Sequence, residues 1–203
     1  MTDPDADDPP AGDRPVELFF DVGSPYAWLA AERVESILGP VAWRPVLLGG
    51  IFAAVGRSSW AQTDARDAGI AEIERRAADR GLPTVRWPER WPNDGLRAMR
   101  VAAWADRVST PDHDAVRAFA LAALRTHFVD GLALDEDDAI RSALVAADLD
   151  PDAGLAAADD PDVKAHLRAV TDDAVARGVI GVPTLAFGDR LVWGDDGLET
   201  FAR

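Results

Sequence analysis

The stretch FFDVGSPYAWLA, residues 19–30, decides how the rest of the chain is read. It continues an apolar run, VELFFDV (16–22), whose length and β-branched and aromatic content predict a buried strand. The strand gives way to Gly23-Ser24-Pro25-Tyr26. Serine is a good helix N-cap, and proline is pre-shaped for the first helical position. A helix is therefore expected from Pro25 to about Leu38, where Gly39-Pro40 stops it. VAWRPVLL (41–48) predicts a second strand. Strand, helix and strand at these lengths make a βαβ unit with a parallel pair.

The middle of the chain has a different texture. Between about Trp60 and Lys164 no stretch reads as a strand. Helical periodicity runs through AGIAEIERRAADRG, GLRAMRVAAWADRVS, DHDAVRAFALAALRTHFVDG and LDEDDAIRSALVAAD, and shorter helices are expected in DPDAGLAAA and DPDVKAHLRAVTDDAVARG. Aspartates at their starts suit the free N–H groups and positive end of a helix. GLPTVRWPERWPNDG is a proline-rich loop. Strand signals return in GVPTLAFGDRLVWG, a hairpin turning at Gly188-Asp189, and a last helix follows, with Asp196 and Glu199 spaced as a capping box. The chain is thus one α/β layer interrupted by a helical block.

Composition narrows the function. The 203 residues carry 36 acidic and 21 basic side chains, a net charge of −15, and a single lysine, Lys164. Such a surface repels phosphates, so nucleic acid is not an expected partner. No apolar run approaches a membrane span, and the acidic, proline-rich residues 1–14 have the character of a disordered tail and not of a signal peptide. A cytoplasmic protein is the expectation. There is no cysteine, which excludes disulfides, thiolate metal sites and a cysteine nucleophile. The histidines His113, His127 and His166 lack metal-ligand spacing and are expected to be structural, so no metal is expected. Most tryptophans (Trp28, Trp60, Trp87, Trp91, Trp104 and Trp193) belong in the core, although the segment from Trp60 to Trp91 could wall a pocket.

Two positions can carry chemistry. Ser24 is on one reading an ordinary cap. On the other it stands where free N–H groups and the helix dipole stabilise an anion such as a thiolate, which a ligand would have to bring. Pro183, following Val182, is on one reading a strand-entry proline. On the other, a cis Val182-Pro183 bond leaves the backbone of Val182 free to pair with a peptide-like ligand.

In order along the chain, FFDVGSPYAWLA, PVLLGGIFAAVG, WPNDGLRAMR and TDDAVARGVIGVPTLAF followed by LVWGDDGLE resemble the 2-hydroxychromene-2-carboxylate isomerase family. That family is close to the kappa-class glutathione transferases, within the DsbA-like thioredoxin superfamily. The resemblance implies an α/β thioredoxin-like domain (15–50 and 179–203) with an all-helical insertion (51–178). It implies glutathione, or another low-molecular-weight thiol, held against Ser24 and paired with Val182 beside Pro183, with Asp196 at the γ-glutamyl end. The implied reaction is cis–trans isomerisation of a hydroxychromene carboxylate-like aromatic acid by reversible addition of the thiol. A homodimer is also implied. The sequence departs from the family at three places: Gly197 replaces an arginine, Arg57 an asparagine, and Arg66 is the candidate substitute for a loop lysine. Arg57 and Arg66 are accordingly expected to touch the thiol. A glutathione transferase-like enzyme, or a non-catalytic thioredoxin-like binding protein, is the alternative. A disulfide oxidoreductase is excluded by the missing cysteines.

Overall fold

The computed structural model describes residues 15–110 and 114–201; the tail expected at 1–14 and His113 lie outside the described residues. A four-stranded sheet has the order β2-β1-β3-β4. Strand β1 (Glu17–Phe20) pairs in parallel with β2 (Ala42–Pro45), as a βαβ unit requires, and antiparallel with β3 (Thr184–Phe187), which forms the expected hairpin with β4 (Arg190–Trp193). Side chains alternate across this sheet. Leu18, Phe20, Trp43 and Leu185 enter a large core on one face, and Phe20 meets Trp43 edge-on at 5.6 Å. Phe19 and Ala186 enter a smaller core on the other face.

Helix α1 (Pro25–Ala31) follows β1 directly, and α2 (Val34–Leu38) completes the first crossover. The single helix expected to Leu38 is therefore broken at Glu32-Arg33. The second strand stops at Pro45, because Leu48 opens helix α3 (Leu48–Val55), which the sequence reading did not anticipate. The block from α4 (Arg66–Asp79) through α5 (Leu96–Val108), α6 (Ala115–Phe128), α7 (Asp137–Ala146) and α8 (Pro151–Ala157) is helical as expected. Helix α9 (Pro161–Ala176) is 16 residues long, not short. The hydrophobic period persists through Val163, Leu167 and Ala174, so one face stays buried throughout.

Both ends of the helical block share cores with the sheet. Met99, Phe119, Leu124 and Leu144 are continuous with Leu18 and Phe20. Ile51 of α3 and Ala174 of α9 pack on Phe19 and Val182. The expected boundary between residues 50 and 51 therefore falls inside α3. The last helix, α10 (Gly197–Phe201), packs on the hairpin and on α2. Glu199 does not close the expected capping box; its carboxylate pairs with Arg33. Gly197 has a packing reason, since a Cβ there would lie 2.4 Å from Val192 Cγ1. A side chain at this helix start would require the Val192 side chain of β4 to shift.

His127 is fully buried near the end of α6, with Nδ1 2.9 Å from the Leu132 carbonyl oxygen, so Nδ1 carries the proton. Burial pushes its pKa down to about 4, against the opposing effects of that carbonyl and of Asp135. The unfolded chain takes up this proton near pH 6.5 and the folded chain only near 4, so stability is intact above 6.5 and falls as pH drops between the two. Unfolding free energy measured in denaturant is expected to lose about 2 kcal/mol from this group between pH 7 and pH 5. His127→Leu should show a correspondingly shallower decline over that interval; an unchanged slope would remove the histidine as its source.

Candidate functional site

The site is assembled around the end of β1. Asp21 is buried, and its carboxylate accepts N–H groups from two directions: Gly23 on Oδ1 and Leu48 on Oδ2, each at 2.8 Å. Burial pushes its pKa up, opposed by those two hydrogen bonds. The Ser24 N–H donates to the Asp21 carbonyl at 3.0 Å. One aspartate thus fixes both the serine turn and the first residue of α3.

Ser24 has the extended backbone of an N-cap (φ −94°, ψ 117°), and its Oγ accepts from the Ala27 N–H at 3.3 Å. Pro25 has no N–H to satisfy. Trp28 donates to the Ser24 carbonyl. Among the described residues, the hydroxyl proton of Ser24 and the N–H of Tyr26 are left without partners in this first turn. They face the positive end of a helix, where an anion is stabilised by about 0.3–1 kcal/mol.

Ser24 lies on the wall of a cavity of about 540 Å³, which also takes in Tyr26 of α1, Phe52 of α3, Gly181-Val182 before β3, Trp193 at the end of β4, and Gly194 to Asp196 after it. Trp60 and Trp91 also line it, with ring centroids 5.5 Å apart, and Trp87 meets Trp91 at 4.4 Å with the rings tilted by 55°. Tyr26 meets Trp60 edge-on. This is an apolar, aromatic box with a few polar groups set into it, the usual make-up of a small-molecule site.

The expected residues gather unevenly. Ser24, Val182, Arg57 and Asp196 all line the cavity. The Val182-Pro183 bond is cis, as predicted, and among the described residues neither the N–H nor the C=O of Val182 has a partner. Pro183 stands behind that pair, its carbonyl accepting from the Gly194 N–H at 2.9 Å. Arg66 is not on the cavity wall. Its Nη2 donates to the Trp91 carbonyl at 2.9 Å, and its guanidinium lies 5.7 Å from the Trp91 ring, so it braces the aromatic wall from behind. Trp193, assigned to the core from sequence, is half-exposed and forms part of the rim.

Other residues escaped the sequence reading. Asp195 is buried and gripped by Arg76 (2.7 Å) and Arg80, whereas Asp196 beside it is 69% exposed and 3.9 Å from Arg76. The Arg76 guanidinium also lies 5.6 Å from the Tyr26 ring. Two adjacent aspartates look alike in sequence, and only packing tells which one is interior. Asp21 carried a usable signal: an acidic residue at the end of an apolar strand, two before a glycine that needs its N–H held.

Comparison with known proteins agrees with this architecture. The model of the DSBA-like thioredoxin domain matches residues 15–203. Among solved structures, a 2-hydroxychromene-2-carboxylate isomerase superposes with a TM-score of 0.78 at 20% identity, covering 92% of this chain and 91% of its own. A probable DsbA oxidoreductase from Streptomyces coelicolor gives 0.70 at 24% identity, covering 92% and 86%. No curated protein matches significantly. At these identities the likeness to solved structures is one of fold. The four-stranded mixed sheet, its helical block and the match over nearly the whole length lead to one conclusion: the chain belongs to the DSBA-like thioredoxin domain family.

Proposed function

We propose that this protein is a thiol-dependent isomerase acting on a conjugated aromatic acid, with glutathione or another small thiol held at Ser24. The observation that carries the reading is the unspent hydroxyl of Ser24, set in an aromatic cavity beside the unpaired backbone of Val182, in a chain without a cysteine of its own. The donor set suits such a ligand. Val182 offers one N–H and one C=O, the pair that an extended peptide segment needs. Ser24 Oγ–H and the Tyr26 N–H suit a sulfur anion.

A bound thiol would supply a nucleophilic sulfur that adds to a conjugated carbon, leaves the adjoining bond free to rotate, and departs again. The chain's own part is positional and electrostatic. Ser24 and the start of α1 favour thiolate over thiol. Trp60, Trp91 and Tyr26 hold a planar substrate and exclude water. Asp196, the exposed acid on the rim, would meet an ammonium group of the thiol ligand. The similarity in fold to the isomerase supports the reaction type, and the missing cysteines turn it away from disulfide exchange. No helix among the described residues is long and apolar enough to cross a membrane.

Two outcomes test this reading. Ser24→Ala should unfold within about 1 kcal/mol of the parent protein, the value of a lost cap, yet lose about a hundredfold in thiol-dependent turnover of a conjugated aromatic acid. Equal turnover would take Ser24 out of the mechanism. The parent protein should also be retained on immobilised glutathione or a related thiol. Free thiol should alter its tryptophan fluorescence, reporting Trp60 and Trp91. Passage through every thiol column without delay would leave the fold assignment standing and the thiol chemistry without support.

A further inference from the structure

Arg57 differs in setting from the other arginines around the cavity. Arg76 and Arg80 are committed to Asp195, and Arg66 to the Trp91 carbonyl. Arg57 has no carboxylate within ion-pairing distance among the described residues. Its guanidinium carbon lies 4.7 Å from the Trp193 ring centroid and 6.0 Å from that of Phe52. Trp193 is itself seated against backbone, since a Cβ on Gly181 would lie 2.8 Å from its Nε1. Trp193 therefore meets both Gly181 and the Arg57 guanidinium on the cavity wall, next to Val182.

Stacking occupies the face of a guanidinium and leaves its N–H edge for a partner in the same plane. The group that matches that edge is a carboxylate, which accepts two parallel N–H bonds. Ser58, the next residue, lines the same cavity, and its hydroxyl has no partner among the described residues. An uncompensated cation is also conspicuous in a chain of net charge −15, where most arginines near the cavity are already neutralised.

We propose that Arg57, backed by Trp193 and flanked by Ser58, is the carboxylate anchor of this cavity and sets its selectivity for acids over neutral ligands of the same shape. The inference rests on the reading above only in taking the cavity as the ligand site. The carboxylate can belong to the aromatic acid or to the end of a thiol peptide, and the test separates the two.

The test follows tryptophan fluorescence of the full chain titrated with trans-cinnamate, with neutral trans-cinnamamide and with S-methylglutathione. The parent protein should prefer cinnamate to cinnamamide, or should bind S-methylglutathione. Arg57→Gln should weaken the acid that uses the anchor by about 10- to 100-fold and leave cinnamamide unchanged. Arg57→Lys should keep part of the affinity, and a parental circular-dichroism spectrum shows that each variant is folded. Arg141→Gln, which removes a charge from an exposed pair with Asp152, should change nothing. Loss confined to cinnamate assigns the anchor to the aromatic acid, and loss confined to S-methylglutathione assigns it to the thiol. The proposal is overturned if Arg57→Gln weakens neither acid, if cinnamide-type amide and acid bind alike while S-methylglutathione is insensitive to the substitution, or if the parent binds neither acid at millimolar concentration. The cinnamate arm contains no thiol, so its failure is distinct from failure of thiol binding at Ser24.

Discussion

The Asp21 carboxylate holds the two halves of the site together. It is buried, it accepts the N–H groups of Gly23 and Leu48, and burial of a carboxylate is tolerable only with such partners. Gly23 leads into the serine turn and α1. Leu48 leads into α3, which carries Phe52 and ends just before Arg57. Two walls of the cavity therefore diverge from one side chain. Removing its oxygens would leave two interior donors unsatisfied, at about 1–3 kcal/mol each. The damage would reach the site through geometry, since neither the hydroxyl of Ser24 nor the guanidinium of Arg57 touches Asp21.

A second constraint is electrostatic. Excess negative charge is held in a compact chain by arginines that bridge distant elements. Arg117 of α6 pairs with Glu35 of α2 through two hydrogen bonds of 2.6 Å, and Arg125 of α6 pairs with Glu32 at the end of α1 through two of 2.8 Å. Arg177, after α9, reaches Glu17 of β1. The first two are fork-to-carboxylate contacts that lysine could not duplicate, and the chain has one lysine. Most are partly exposed, so each adds little stability, but together they fix how the helical block sits on the sheet.

Much of the architecture was legible in sequence because its signals are local. Ser24-Pro25 marks a helix start, Gly188-Asp189 a hairpin, and the aspartates at 150 and 160 accept first-turn N–H groups as caps. Helix α3 was not legible because its cap is not local. LGGIFAAV has two glycines and no capping side chain of its own. Its first N–H is held by Asp21, 27 residues earlier, and the preceding N–H of Leu47 by Thr171 Oγ1, 124 residues later. The break after α1 is similar in origin. At the break, Glu32 and Arg33 pair with Arg125 and Glu199, partners that no window on the local sequence contains. The site shows the same division. Ser24 and Val182-Pro183 announce themselves by type and spacing, whereas the interior role of Asp195 and the stacking of Arg57 on Trp193 exist only after folding.

That division bears on what a thioredoxin-like fold does without cysteine. In this chain the backbone features around the turn do not depend on sulfur. The start of α1 still offers free donors, and the strand entry at Val182 still leaves a peptide edge unpaired. A cysteine at position 24 would add a nucleophile to this setting; a serine leaves the setting and supplies a hydrogen bond. The chemistry then follows from what the remaining walls accept. Here those walls are aromatic, with acids at one end and an arginine on an indole at another. On the function proposed above, such a lining would favour a flat ligand with charge at its periphery and its reacting atom over the serine. On that reading the fold would supply the positive helix end, and the side chains around it would choose the molecule that uses it.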